Sequence, residues 1–177
     1  MVQLTLILDN IRSAHNVGAI LRTANATGVV RVFCCGITPY PRQPNDTRDP
    51  VVSGRHLREI AKTALGAEAT IHVEHYDNTE AGITVARAKG CTIYGLEQAM
   101  DSHNIFTASI ASPAALVLGR EVDGIPSNIL ALCDMVLEIP QHGDKESLNV
   151  SVASGIAMYA LRNSDLDIQR ARHAEPT

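Results

Sequence analysis

Arg22 is set among small and apolar neighbours, Val17-Gly18-Ala19-Ile20-Leu21-Arg22-Thr23-Ala24. A guanidinium there is either an ordinary surface charge or a group held for a ligand. Its planar donor fork suits phosphate or carboxylate, and with a pKa above ~12 it is not a base. Asn16 opens the same stretch and is most simply the N-cap of a helix starting at Val17. His15 precedes it and is able to contact phosphate, although a lone histidine is more simply structural. A second group lies in Leu116-Val117-Leu118-Gly119-Arg120-Glu121-Val122-Asp123-Gly124-Ile125-Pro126, which reads as a strand, a glycine turn and a helix start. Gly119 permits either a tight turn or close approach of a ligand to the backbone. Glu121 is favoured near a helix N-terminus even without a function. A third group, Ser147 and Asn149, follows the apolar Ile139-Pro140 and a polar loop. These two residues either cap the last helix or meet a ligand.

The elements that must position these groups alternate. Strand-like runs are Leu4–Leu8, Val29–Cys35, Thr70–Val73, Cys91–Leu96, Ala115–Leu118 and Val136–Ile139. Helix-like runs are Val17–Thr27, Arg55–Ala64, Thr79–Lys89, a short one near Ser127–Leu132, and Leu148–Leu161. Continuous apolar strands separated by helices predict an α/β fold, a mostly parallel sheet with helices on both faces. Between Thr38 and Pro50 four prolines interrupt the chain, which predicts an irregular, mobile loop. From Ser147 to Leu161 no residue is charged. Leu148, Val152, Ile156 and Ala160 form one face of that helix, and Ser151, Ser154 and Gly155 form a small-residue face. A helix without charge all round is buried on more than one side.

Composition narrows the class. With 177 residues, 45% hydrophobic and 19% charged, the chain is globular and large enough for a substantial core. Trp is absent and aromatics make up 3%, which argues against an aromatic platform for stacking bases. The four cysteines, including the adjacent pair Cys34-Cys35, lack metal-ligand spacing. They read as reduced, mostly buried thiols, with no metal expected. No apolar stretch approaches the ~20 residues that span a membrane, and no signal peptide precedes the first strand. Net charge is −4, yet residues 1–65 carry eight Lys/Arg against four Asp/Glu. That asymmetry permits a local phosphate-binding face on an acidic protein.

The three runs Asn16–Val29, Leu116–Pro126 and Ile139–Leu161, in this order, resemble the three motifs of the SpoU/TrmH family. That family belongs to the SPOUT methyltransferases, which methylate RNA ribose 2′-hydroxyls using S-adenosylmethionine. The resemblance covers Leu4 to about Leu161. It implies a SPOUT-type domain over residues 1–162, with a C-terminal deep trefoil knot within about 90–161 and a polar tail at 163–177. It assigns catalytic roles to Arg22, Asn16, Glu121, Ser147 and Asn149. Arg22 would grip a phosphate beside the target ribose and orient its hydroxyl. Leu118, Gly119, Ile139, Pro140 and Leu148 are expected to form the cofactor pocket. Gln141-His142 stands where family members often carry Met and a small or apolar residue. The resemblance further implies an RNA partner (tRNA or rRNA), a cytoplasmic location and no metal. It also implies a homodimer joined through the helices near Val17–Thr27 and Leu148–Leu161. The alternative is a catalytically silent RNA-binding or assembly protein of the same fold, against which Asn16, Arg22, Glu121, Ser147 and Asn149 argue. A nucleotide-binding oxidoreductase is disfavoured, because no G-x-G-x-x-G follows the first strand.

Overall fold

The computed structural model describes residues 2–44, 46–120 and 123–173, the stretch beyond 162 by its backbone. The elements in chain order are β1 (Leu4–Asp9), α1 (Ala14–Thr27), β2 (Arg31–Cys35), α2 (Pro50–Ala64), β3 (His72–Tyr76) and α3 (Thr79–Ala88). They continue with β4 (Thr92–Leu96), β5 (His103–Asn104), β6 (Ala114–Leu118), α4 (Ser127–Leu130), β7 (Met135–Glu138) and α5 (Val150–His173). The sheet order is β3-β2-β1-β6-β4-β7-β5, and every pair is parallel. Alternation along the strands divides the core. Leu6, Leu8, Val32, Cys34, Leu116 and Leu118 face α1, α2 and α5. Ile7, Phe33, Cys35, Ile93, Ala115 and Val117 face α3 and α4. Helices thus cover both faces, as the apolar strands require.

Several boundaries differ from the sequence reading for local reasons. Ser13, not Asn16, caps α1, and its hydroxyl accepts the Asn16 N–H at 3.2 Å. The helix therefore begins at Ala14, and Asn16 lies in its first turn. Asp49 caps α2 and Pro50 takes its first position, where a missing N–H costs nothing. That carries the helix back from Arg55 to Pro50. The chain from Thr38 to Asp49 is irregular, as expected, but braced. Arg48 donates to Asp46 Oδ1 (2.8 Å) and to the Tyr40 carbonyl (3.1 Å). Its guanidinium lies 3.4 Å from the Tyr40 ring centre, and that ring stacks on His75 at 4.3 Å. The Arg48 contacts hold the Asp46 carboxyl well below the usual carboxylate range. α5 starts at Val150 rather than Leu148 and continues past Leu161 to His173. Beyond Leu161 the sequence has neither Gly nor Pro before Pro176.

All four cysteines are free thiols, and Cys133 is the one not fully buried. Burial pushes Cys35 up to about 12 and Cys133 up to about 11, so both stay protonated at neutral pH. Among the described residues no helix is long and apolar enough to cross a membrane.

Gly18 explains how α1 and α2 come together. A Cβ there would stand 2.3 Å from the Ile60 carbonyl oxygen and 2.2 Å from Thr63 Oγ1. Gly18→Ala gains at most ~1 kcal/mol of helix propensity but forces a backbone to move, which costs about 1–3 kcal/mol. Urea unfolding should therefore show a net loss of stability. A gain would mean that the two helices part without cost.

Candidate active site

Ligands of parallel sheets gather beyond the carboxyl ends of the strands, and a cavity of about 320 Å³ lies there. Three strands end side by side. Leu96 of β4 is in register with Leu118 of β6 and with Leu137 of β7. Their following loops and the start of α5 wall the cavity. Leu96, Leu118, Ile139, Leu148, Val150 and Ala153 supply apolar surface. Glu97, Gln98, Arg120, Gln141 and Ser147 supply polar groups.

Two loops are tied together at this edge. The Glu97 N–H donates to the Leu137 carbonyl at 3.0 Å. Its carboxylate accepts the Ile125 N–H (2.8 Å) and the Gln98 N–H (3.0 Å). The Gln98 amide donates to the Glu146 carbonyl at 3.2 Å. One strand end thereby holds the loop after β6 and the loop before α5. A glycine is needed at 119 for a reason the sequence left open. A Cβ there would stand 2.5 Å from both the carbonyl carbon of Gly124 and the Ile125 nitrogen. The missing side chain admits the protein's own backbone.

Arg120 lines the same cavity. Its Nε stands 3.6 Å from Oδ2 of Asp9, a residue 1% exposed at the end of β1. The other Asp9 oxygen accepts from Thr79 and from the Asn10 amide. Among the described residues neither Asp9 Oδ2 nor Arg120 Nε has a hydrogen-bond partner. At 3.6 Å the pair attracts as charges without a formed hydrogen bond.

The structure brings together some of the residues singled out in the sequence and separates others. Leu118, Gly119, Ile139, Ser147 and Leu148 all line the cavity. Pro140 lies between two lining residues but is not one of them. Asn149 caps α5, accepting the Ser151 N–H at 2.9 Å. Its side-chain amide donates to Asn16 Oδ1 at 3.3 Å, joining the last helix to the first. His15 pairs with Glu59 of α2 at 3.2 Å, a structural contact. Arg22 is exposed on α1 and is not among the cavity's lining residues. Glu121 lies outside the described residues. Glu97, Gln98 and Arg120 were missed from sequence. Glu97 directly follows a predicted strand, and the rule for parallel-strand ends makes such a position a candidate only once the neighbouring strands are known.

The predicted faces of the last helix also need correction. Val150, Ser154, Ala157, Met158 and Leu161 are buried. Leu148 is 40%, Val152 50% and Tyr159 53% exposed. The expected stripe of Leu148 and Val152 thus stays outside this chain's core. Gly155 faces Thr23 of α1, so part of the small-residue face serves contact within the chain.

A doubly covered parallel sheet with a cavity over its central strand ends defines a ligand-binding α/β domain. The chain matches the SpoU rRNA Methylase family over residues 3–159 and belongs to that family. It is 33% identical over 156 residues to the 23S rRNA (guanosine-2′-O-)-methyltransferase RlmB of Vibrio vulnificus, covering 88% of this chain and 57% of that protein. The chain thus spans little more than half the length of that relative. Among solved structures it resembles an AdoMet-bound rRNA methyltransferase from Sinorhizobium meliloti, with TM-score 0.74, 27% identity, and coverage of 93% and 57%. It shares the fold of the A. aeolicus TrmH/SpoU tRNA modifying enzyme, with TM-score 0.75, 24% identity, and coverage of 96% and 78%.

Because Gly119 abuts backbone, Gly119→Ala should weaken the fold even without a ligand. Overpacking of about 1–3 kcal/mol corresponds to a melting midpoint lower by about 5 °C in a domain of this size. Scanning calorimetry of the ligand-free variant checks this. An unchanged midpoint would return Gly119 to the role of making room for a ligand alone.

Proposed function

We propose that this chain is an S-adenosylmethionine-dependent methyltransferase acting on a ribose 2′-hydroxyl of tRNA or rRNA. The observation that carries the reading is the convergence of Leu118, Gly119, Ile139, Ser147 and Leu148 on one cavity at the sheet edge. Apolar walls and loop backbone suit an adenosine, and the volume lies near the lower end of small-ligand sites. S-adenosylmethionine, when bound, supplies an already activated sulfonium methyl. The protein's share is then largely positioning. Leu118, Ile139 and Leu148 would hold the cofactor, with Gly119 and Pro140 shaping the loops. Ser147 at the rim and Asn149, fixed against Asn16, would place the substrate ribose. Glu121 is assigned a supporting role by its motif position alone. We place the family's knot within about 90–161.

Arg22 completes the site from a second copy of the chain. It is exposed on α1, which packs against α5. The uncovered Leu148 and Val152 begin beside the cavity, with Tyr159 further along α5. A twofold pairing through these helices buries that apolar surface and turns each Arg22 toward the other copy's cavity. There the guanidinium grips a phosphate, orients the hydroxyl and favours its developing negative charge. A phosphate oxygen or water takes the proton.

Total RNA from a strain lacking this protein, incubated with enzyme and labelled cofactor, should gain a 2′-O-methyl at a mappable position. Failure of every RNA to accept label would favour the silent RNA-binding protein. Arg22→Ala should lower methyl transfer by about 10²–10⁴ while calorimetry shows nearly unchanged cofactor affinity. Wild-type turnover in that variant would remove Arg22 from the site. Sedimentation at micromolar concentration should show a dimer. A 19.0 kDa monomer that still methylates RNA would rule out the shared site.

A further inference from the structure

We propose that Glu97 makes the cavity discriminate by charge, holding the sulfonium cofactor in preference to its spent form, S-adenosylhomocysteine. The inference rests on the reading that this cavity holds S-adenosylmethionine. The two molecules share the adenosine and the amino-acid moiety. They differ by one methyl group and by one unit of positive charge at sulfur. A single methyl offers little contact by which shape alone can separate them, so charge is the larger difference.

The charges along the wall favour the cation. Glu97, Asp123 and Glu146 line the cavity, and among the described lining residues Arg120 is the one cation. Arg120 is already shared, with Asp9 at 3.6 Å behind it and Asp123 at 4.0 Å beside it. The balance at the site is therefore acidic. The three wall carboxylates do not contribute equally. The Asp123 side chain is 63% exposed, and Glu146 is exposed, so water and salt screen both. Glu97 is half-buried and held by the Ile125 and Gln98 N–H groups. A fixed charge lining a partly enclosed space is screened less than these and needs no reorganisation. Two accepted hydrogen bonds leave lone pairs and charge available. Once the methyl leaves, the sulfur becomes neutral and loses this attraction, which favours exchange for fresh cofactor.

Glu97→Gln separates charge from shape. The amide oxygen still accepts from Ile125, while the negative charge and the acceptor for the Gln98 N–H are lost, and the adenosine titration reports any effect of the latter on shape. Calorimetric titration of the full chain, without RNA, would give dissociation constants for S-adenosylmethionine, S-adenosylhomocysteine and adenosine. In Glu97→Gln the preference for the sulfonium over the thioether should fall by roughly five- to tenfold, with adenosine unchanged. In the wild type the preference should narrow as salt rises, and much less so in the variant. An unchanged preference in a folded Glu97→Gln protein would overturn the inference. Equal weakening of all three ligands would also overturn it, because Glu97 would then be a brace for the Gly124 turn and nothing more. Ala153→Phe, which fills the cavity from α5, tests the underlying reading separately. If it left S-adenosylmethionine affinity intact, the cofactor would lie elsewhere and both readings would fall.

Discussion

The turn at Gly124 can lie against Gly119 only because neither position carries a side chain, and the shape of the cavity depends on that contact. A Cβ at 119 would meet the Gly124 backbone, and one at 124 would meet the Glu97 carboxylate at 2.1 Å. Gly124 also has φ +64°, where a side chain is strained. The Arg120 N–H bonds the Gly124 carbonyl at 3.1 Å, closing the loop on itself. Glu97 then fixes the closed loop to the end of β4. Because β4, β6 and β7 are in register, locking one loop end places the others. Rigid strands thus set the positions of loop backbone, which is how a small domain holds a binding wall without a layer of large side chains.

Asp9 extends the same economy to the neighbouring strand. Its carboxylate ends β1, takes the hydroxyl of Thr79 at the start of α3, and faces Arg120 at the cavity. One buried anion therefore couples three segments that lie far apart in sequence. Removing a partner from such a pair leaves a charge uncompensated, and that penalty exceeds the net value of the pair itself. The pairing also limits what Arg120 can do. A guanidinium with a buried carboxylate behind it contributes less positive potential to the cavity than its formal charge suggests.

The sequence revealed the order of the longer elements and part of the cavity wall, for physical reasons. Apolar runs such as Ala115–Leu118 can hardly be anything but buried strands, and the observed β6 differs by one residue. Spatial order was hidden, because the place of β6 between β1 and β4 rests on contacts such as Leu6 with Leu116. The start of α1 was misread because Ser13 and Asn16 are both good caps and local preference does not choose between them. The end of α5 was misread because apolar periodicity fades at Leu161, while the backbone meets no breaker before Pro176. Gly119 and Ser147, which line the cavity, were legible as candidates because turn chemistry and a change of polarity mark them. Glu97 carried no such mark, since a glutamate after a strand is ordinary until its strand is known to end beside two others.

The charge-free stretch from Ser147 to Leu161 poses a requirement that one chain only half meets. Helix α5 fits Val150, Ser154, Ala157, Met158 and Leu161 into the core. That leaves Leu148, Val152 and Tyr159 in water. Single exposed apolar residues are common on soluble proteins, but a row of them on a stretch without one charge is not. The same helix begins at the cavity wall with Val150 and Ala153, just after Leu148. Its cap residue Asn149 holds Asn16, at the head of the helix that carries Arg22. Whatever covers the row must therefore lie against the cavity and near the one motif arginine that the chain itself leaves outside. The proposed second copy would meet both demands with one contact, supplying apolar cover and a cation together. An unrelated partner would have to supply each independently, and for that reason the twofold pairing is the simpler account of both observations.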